Sequence, residues 1–140
     1  GMVAVAHIAG RPVKPIDHRR IPGCTYTEPE IGSVGLTEAE ARAEGFHVRV
    51  GKFSFMANAK ASILGRHDGF VKVVADERFG EILGVHIIGP SATDLIAEAV
   101  VAMEAEATVE TLMNAIHPHP TVSEVVGEAF NAVYGLAINA

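Results

Sequence analysis

Tryptophan is missing from the 140 residues, tyrosine occurs twice, and cysteine once, as Cys24. A single cysteine excludes an internal disulfide framework, a cysteine-rich zinc site and any two-cysteine redox centre within the chain. Positive charge is also scarce: 11 Lys and Arg stand against 17 Asp and Glu, a formal charge of -6, with the cations scattered rather than gathered into a stripe. That pattern argues against a nucleic-acid ligand. No run of about 18 apolar residues occurs, so a membrane span is not expected. The start Gly1-Met2-Val3-Ala4-Val5-Ala6-His7 lacks the basic region of a secretory signal. These absences predict a soluble, cytoplasmic protein with neither a nucleic-acid nor a membrane partner. What is abundant is apolar surface: 49% of residues are hydrophobic and the mean hydropathy is +0.27. The length matches one ordinary domain with its own core, and the excess of apolar residues points to a surface reserved for a partner.

The first ten residues read as a short apolar helical end closed by Gly10. Three prolines in the 13 residues from Arg11 to Gly23 make the next stretch a linker, which places a boundary near Ile21. Cys24 to Thr27 is suited to a short strand. Thr37 and Glu40 form a capping box for a helix stopped by Gly45. His47–Phe53 and Phe70–Val74 alternate polar and apolar residues as half-buried strands do. Glu77–Gly80 is a turn leading to a third strand, Glu81–Gly89, and the last two strands form an antiparallel hairpin. From Ser91 the period becomes helical for about 14 residues. Further helices are predicted over Thr108–Ala115 and from Thr121 to Gly135. Strands followed by helices argue for an α+β domain, an antiparallel sheet with helices packed on it.

The segment His117-Pro118-His119-Pro120 lies between two of these helices, where two prolines fix φ and stiffen the loop. The next residues, Thr121-Val122-Ser123-Glu124, fit a capping box, so one reading has Thr121 cap the helix and Glu124 reach back to a backbone amide. A second reading has Glu124 accept a hydrogen bond from one nitrogen of the His119 ring. That would fix the tautomer and leave the other nitrogen as a general base. One carboxylate has two oxygens and could do both. A metal site is disfavoured, because the other histidines have no ligand spacing and no cysteine cluster supports them. His86, in an apolar strand, reads as a satisfied core histidine, and Cys24 as a small buried residue without catalytic duty.

His117-x-His119-Pro120-Thr121-x-Ser123-Glu124 resembles the His-Ala-His-Pro-Thr-Leu-Ser-Glu signature of the dihydrolipoyl dehydrogenases, flavin disulfide reductases with a two-cysteine redox centre. The resemblance extends to Tyr26-Thr27-Glu28-Pro29-Glu30-Ile31, Val34-Gly35-Leu36-Thr37-Glu38, Gly51–Asn58, Asp68–Lys72 and Leu83–Pro90. It runs in order over residues 21–140, the C-terminal dimerisation domain, while residues 1–20 look like the tail of a preceding FAD domain. It implies a homodimer in which His119 enters the partner subunit's active site as acid/base. There His119 takes a proton from dihydrolipoamide, whose thiolate attacks the disulfide, and electrons pass through FAD to NAD. It also implies that Glu124 orients His119, that the His119 and Pro120 backbone lies near the flavin, and that His117 lines the substrate channel. Through lipoyl domains the parent would serve a 2-oxo acid dehydrogenase or glycine cleavage complex.

Two departures qualify the resemblance. Pro118 replaces the usual alanine, and the chain holds no Gly-x-Gly-x-x-Gly fingerprint and no Cys-x4-Cys pair. The FAD and NAD domains are therefore missing, neither cofactor is expected on this chain, and it should not turn over dihydrolipoamide alone. Two alternatives stay open: a free-standing dimerisation module without chemistry, and the same domain of a sister reductase of glutathione or mercuric type, since Ala115-Ile116-His117-Pro118 imitates the first half of the glutathione reductase motif.

Overall fold

The computed structural model describes residues 1–139. Its centre is a five-stranded antiparallel sheet in the order β1-β2-β5-β4-β3. The strands are β1 (Gly23–Thr25), β2 (Glu30–Gly35), β3 (Val48–Ser54), β4 (Phe70–Asp76) and β5 (Ile82–Gly89). The helices are α1 (Met2–Ile8), α2 (Glu38–Ala43), α3 (Ala59–Ile63), α4 (Ala92–Glu104), α5 (Val109–Met113) and α6 (Glu124–Ala132). The α+β class and the β4–β5 hairpin are as the sequence predicts.

Alternation decides which face each residue serves. Phe53, Val71, Val73, Val85 and Ile87 face α4 and α6 and build the main core with Ile96, Val126 and Phe130. Val48 and Val74 point the other way, onto Ala41 of α2, and Leu83 joins them because a bulge opposite Val74 and Ala75 breaks the alternation of β5 there. The end of β4 and the start of β5 are buried on both faces, which is why the alternation of Phe70–Val73 gives way to the apolar run Val73–Ala75 and why β5 opens on Ile82–Leu83. α6 crosses β3 at Gly51, where a Cβ would stand 2.2 Å from the Ala129 carbonyl oxygen. Only glycine permits that approach. At the start of α4, Ser91 makes no side-chain cap. Glu30 of β2 takes over, accepting from the Thr93 amide at 3.0 Å and its hydroxyl at 2.6 Å, so the helix is tied to the sheet at its first turn.

Several expectations change. β2 is a full strand between β1 and β5, although Gly32, Ser33 and Gly35 gave its sequence no strand signal. α3 is an additional short helix, capped by the Asn58 side chain. Cys24 is exposed rather than buried, because it sits on the short edge strand β1, all of whose residues face solvent. α6 starts at Glu124 rather than Thr121, since the Thr121 hydroxyl turns back to the Pro118 carbonyl instead of capping the helix. His86 is half-buried, and its Nε2–H donates to the Leu36 carbonyl at 3.0 Å. No helix among the described residues is long and apolar enough to cross a membrane.

Candidate active-site loop

The loop from α5 to α6 carries both histidines of the motif. His119 is held on one side only: its Nδ1–H donates to Glu124 Oε1 at 2.8 Å, while the side chain remains 73% exposed. The neutral ring therefore keeps its proton on Nδ1 and presents Nε2 with a free lone pair to solvent. The other carboxylate oxygen of Glu124 accepts the Thr121 amide at 2.9 Å. Both readings of Glu124 hold at once, one oxygen for each. The Thr121 amide first, and the His119 ring second, hold the Glu124 carboxyl below the usual carboxylate range, so it remains an anion facing the imidazole.

The loop is closed on itself by the Thr121 hydroxyl, which donates to the Pro118 carbonyl at 2.7 Å and accepts from the Ser123 hydroxyl at 2.8 Å. The His119–Pro120 peptide is cis. Two residues far away in sequence fasten this unit to the domain. The buried Asn58 donates through Nδ2 to the Thr121 carbonyl at 3.1 Å, while its Oδ1 accepts the Ala61 amide at 2.8 Å. On the other side His117, whose side chain is 12% exposed, donates from Nε2 to Glu98 Oε1 at 2.9 Å. The structure thus separates the two histidines, one enclosed against the body and one projecting.

Among the described residues no three His, Cys, Asp or Glu side chains gather as metal ligands would. Two surface cavities, of about 380 and 440 Å³, are lined by residues including Asp17, Arg20, Phe46 and Phe79 in the first and Thr37, Glu38, Arg42 and Lys72 in the second, and by none of the loop 117–124. The loop offers an imidazole edge and backbone rather than an enclosure.

The sequence profile described as pyridine nucleotide-disulphide oxidoreductase, dimerisation domain, matches residues 21–130. The chain belongs to that dimerisation-domain family. Dihydrolipoyl dehydrogenase of Rhizobium etli is 52% identical over the whole chain, and the mitochondrial enzyme of Caenorhabditis elegans 47% identical over 99% of it. The chain spans only 29% and 28% of those two proteins. Among solved structures, LpdA of Mycobacterium tuberculosis superposes with a TM-score of 0.84 at 29% identity over 91% of this chain and 28% of its own. The flavoprotein disulfide reductase RclA of Escherichia coli superposes at 0.85 over 93% of this chain and 30% of its own, with 22% identity, and shares the fold.

Asn58 and Glu98 escaped the reading of the sequence as site residues. Asn58 falls within the family-like stretch Gly51–Asn58, which was a usable signal. Glu98 looks like any polar position on an amphipathic helix, and nothing in its spacing points to His117.

Proposed function

We propose that this domain belongs to a dihydrolipoyl dehydrogenase and supplies the proton acceptor for dihydrolipoamide oxidation, acting in a homodimer on the active site of the partner subunit. The observation that carries the reading is the 2.8 Å bond from His119 Nδ1–H to Glu124 beneath a ring left 73% exposed. Nε2 accepts the proton of a dihydrolipoamide thiol, and the anionic carboxylate stabilises the imidazolium that results. The thiolate then attacks a disulfide held by the other subunit. That attack forms a mixed disulfide and releases one enzyme cysteine as a thiolate. The second lipoamide thiol gives its proton to that thiolate and displaces the other cysteine, so the lipoamide ring closes and the pair of electrons remains on the enzyme's two cysteines. The chemistry supplied by bound FAD is the passage of those electrons to NAD. Both cofactors would be bound by domains outside this chain, with the His119 and Pro120 backbone facing the flavin and His117 lining the approach to His119.

Exposed apolar side chains support the dimer: Ile116 is 98% exposed, and Val101, Leu136 and Ile138 are also uncovered. A 2-oxo acid dehydrogenase or glycine cleavage complex, in the cytoplasm, is the setting this reading implies. The test is His119→Gln in the full-length enzyme, followed as lipoamide-dependent turnover of NAD. A loss of at least about 100-fold is expected; near-normal turnover would overturn the proposal.

A further inference from the structure

The pair formed by Glu98 and His117 has no part in the proton transfer proposed for His119, yet it is better enclosed than the pair that does. His117 stands on α6: a Cβ added at Gly127 would lie 2.8 Å from its Nδ1, so the absence of a side chain there is what seats the ring. Its other nitrogen is bonded to Glu98, and Glu98 is on a 13-residue helix whose Ala92, Ile96, Ala99 and Ala102 are buried against the sheet. The first turn of that helix is fastened to β2 by Glu30. Glu98 is thus a fixed point, and His117 is a side chain gripped from two elements.

Rigidity passes from there into the loop. Pro118, with φ fixed by its ring, follows the gripped residue directly, and its carbonyl accepts the Thr121 hydroxyl. Thr121 in turn offers its amide to Glu124, the carboxylate that also holds His119. Resting on the reading of His119 as proton acceptor, we propose that Glu98 is a positioning residue: by holding His117 on Gly127 it sets the loop geometry in which the His119 ring meets Glu124 through Nδ1. Neither Glu98 nor His117 needs to touch the reacting thiol for this role. The hydrogen bond, rather than the charge of Glu98, performs it, because the imidazole needs only an acceptor at that distance.

The experiment follows the neutral His119 ring in the 140-residue chain by long-range ¹⁵N–¹H correlation, in the wild type and in Glu98→Ala and Glu98→Gln. In parallel, turnover of the full-length enzyme carrying the same changes is measured. Expected for Glu98→Ala is a shift of His119 from the Nδ1–H to the Nε2–H tautomer with amide protection in α6 unchanged. In the enzyme, kcat should fall by about 5- to 50-fold at nearly constant KM for dihydrolipoamide. Glu98→Gln, which keeps an acceptor, should restore both readouts, and Gly127→Ala, which pushes His117 off its seat with Glu98 intact, should repeat the Glu98→Ala result should that variant not fold. An unchanged His119 tautomer in both Glu98→Ala and Gly127→Ala, or Glu98→Gln behaving like Glu98→Ala, overturns the proposal. Because the tautomer is read without substrate, a failure of His119 as catalyst would be seen separately, as full activity of His119→Gln.

Discussion

Two proline-bearing connectors in this molecule are fixed in different ways. Residues 11–22 cross the surface behind α1, a helix with no buried residue, and are fastened by ion pairs on exposed or half-buried side chains: Lys14 and the half-buried Arg20 to Glu104, and Arg19 to Glu44. Residues 117–123 are fastened by Asn58, which is buried, and by Glu98 and Gly127 acting on an enclosed His117. Proline removes local freedom in both, but it does not say where the segment goes. That is decided by what reaches out from the sheet and its helices. Exposed ion pairs trade water for each other with little net gain, whereas a buried amide left without its partner carries a desolvation cost. The second connector can therefore hold a side chain at a set angle, and the first is suited only to lying against the domain.

The contrast can be broken by removing one fastening at a time. The largest effect is expected from Glu124→Ala in the full-length enzyme: the His119 ring loses its tautomer-fixing acceptor, and turnover should fall by about 10- to 100-fold, measured in steady state with dihydrolipoamide. Next comes Asn58→Ala, which removes bonds to both the Thr121 carbonyl and the Ala61 amide. It should cost about 1–3 kcal/mol in urea unfolding.

A smaller effect should come from acid. The Thr93 hydroxyl, then its amide, hold the Glu30 carboxyl below the usual carboxylate range, as the Thr121 amide and the His119 ring do for Glu124. Each folded-state pKa is depressed, so the ionised groups favour the folded state. Their stability is complete above the unfolded carboxylate pKa near about 4.3 and is lost as the pH falls through the folded values. Chemical denaturation at stepped pH should show this loss, and Glu30→Gln should make the slope shallower. The smallest effect is expected from Glu104→Gln, which breaks both ion pairs at that residue and should move the melting temperature by no more than about 1 °C. A drop as large as that of Asn58→Ala would erase the distinction between the two connectors.

The same contrast explains what could be read in advance. Alternation over His47–Phe53, the turn before β5 and the capping box of α2 are local signals, and the elements they predict formed, the first as Val48–Ser54. The pairing of His119 with Glu124 was legible because the partners are five positions apart, with prolines limiting the paths between them. Glu98 to His117 and Asn58 to Thr121 join residues 19 and 63 positions apart, and no periodicity encodes such a meeting. β2 was hidden for another reason: α4 crosses so close to it that a Cβ at Gly32 would stand 2.4 Å from the Ala92 carbonyl oxygen. The packing that makes it a strand thus demands a residue that local propensity counts against one.

The orientation of one ring carries the account, because Nε2 of His119 can accept a proton only if the neutral imidazole keeps its own proton on Nδ1, facing Glu124. A long-range ¹⁵N–¹H correlation of the wild-type chain, at a pH where the imidazole is neutral, reads that directly. The Nδ1–H tautomer as the dominant form is the predicted result. A dominant Nε2–H tautomer would place the proton on the nitrogen that must be free, and would contradict the role given to the pair.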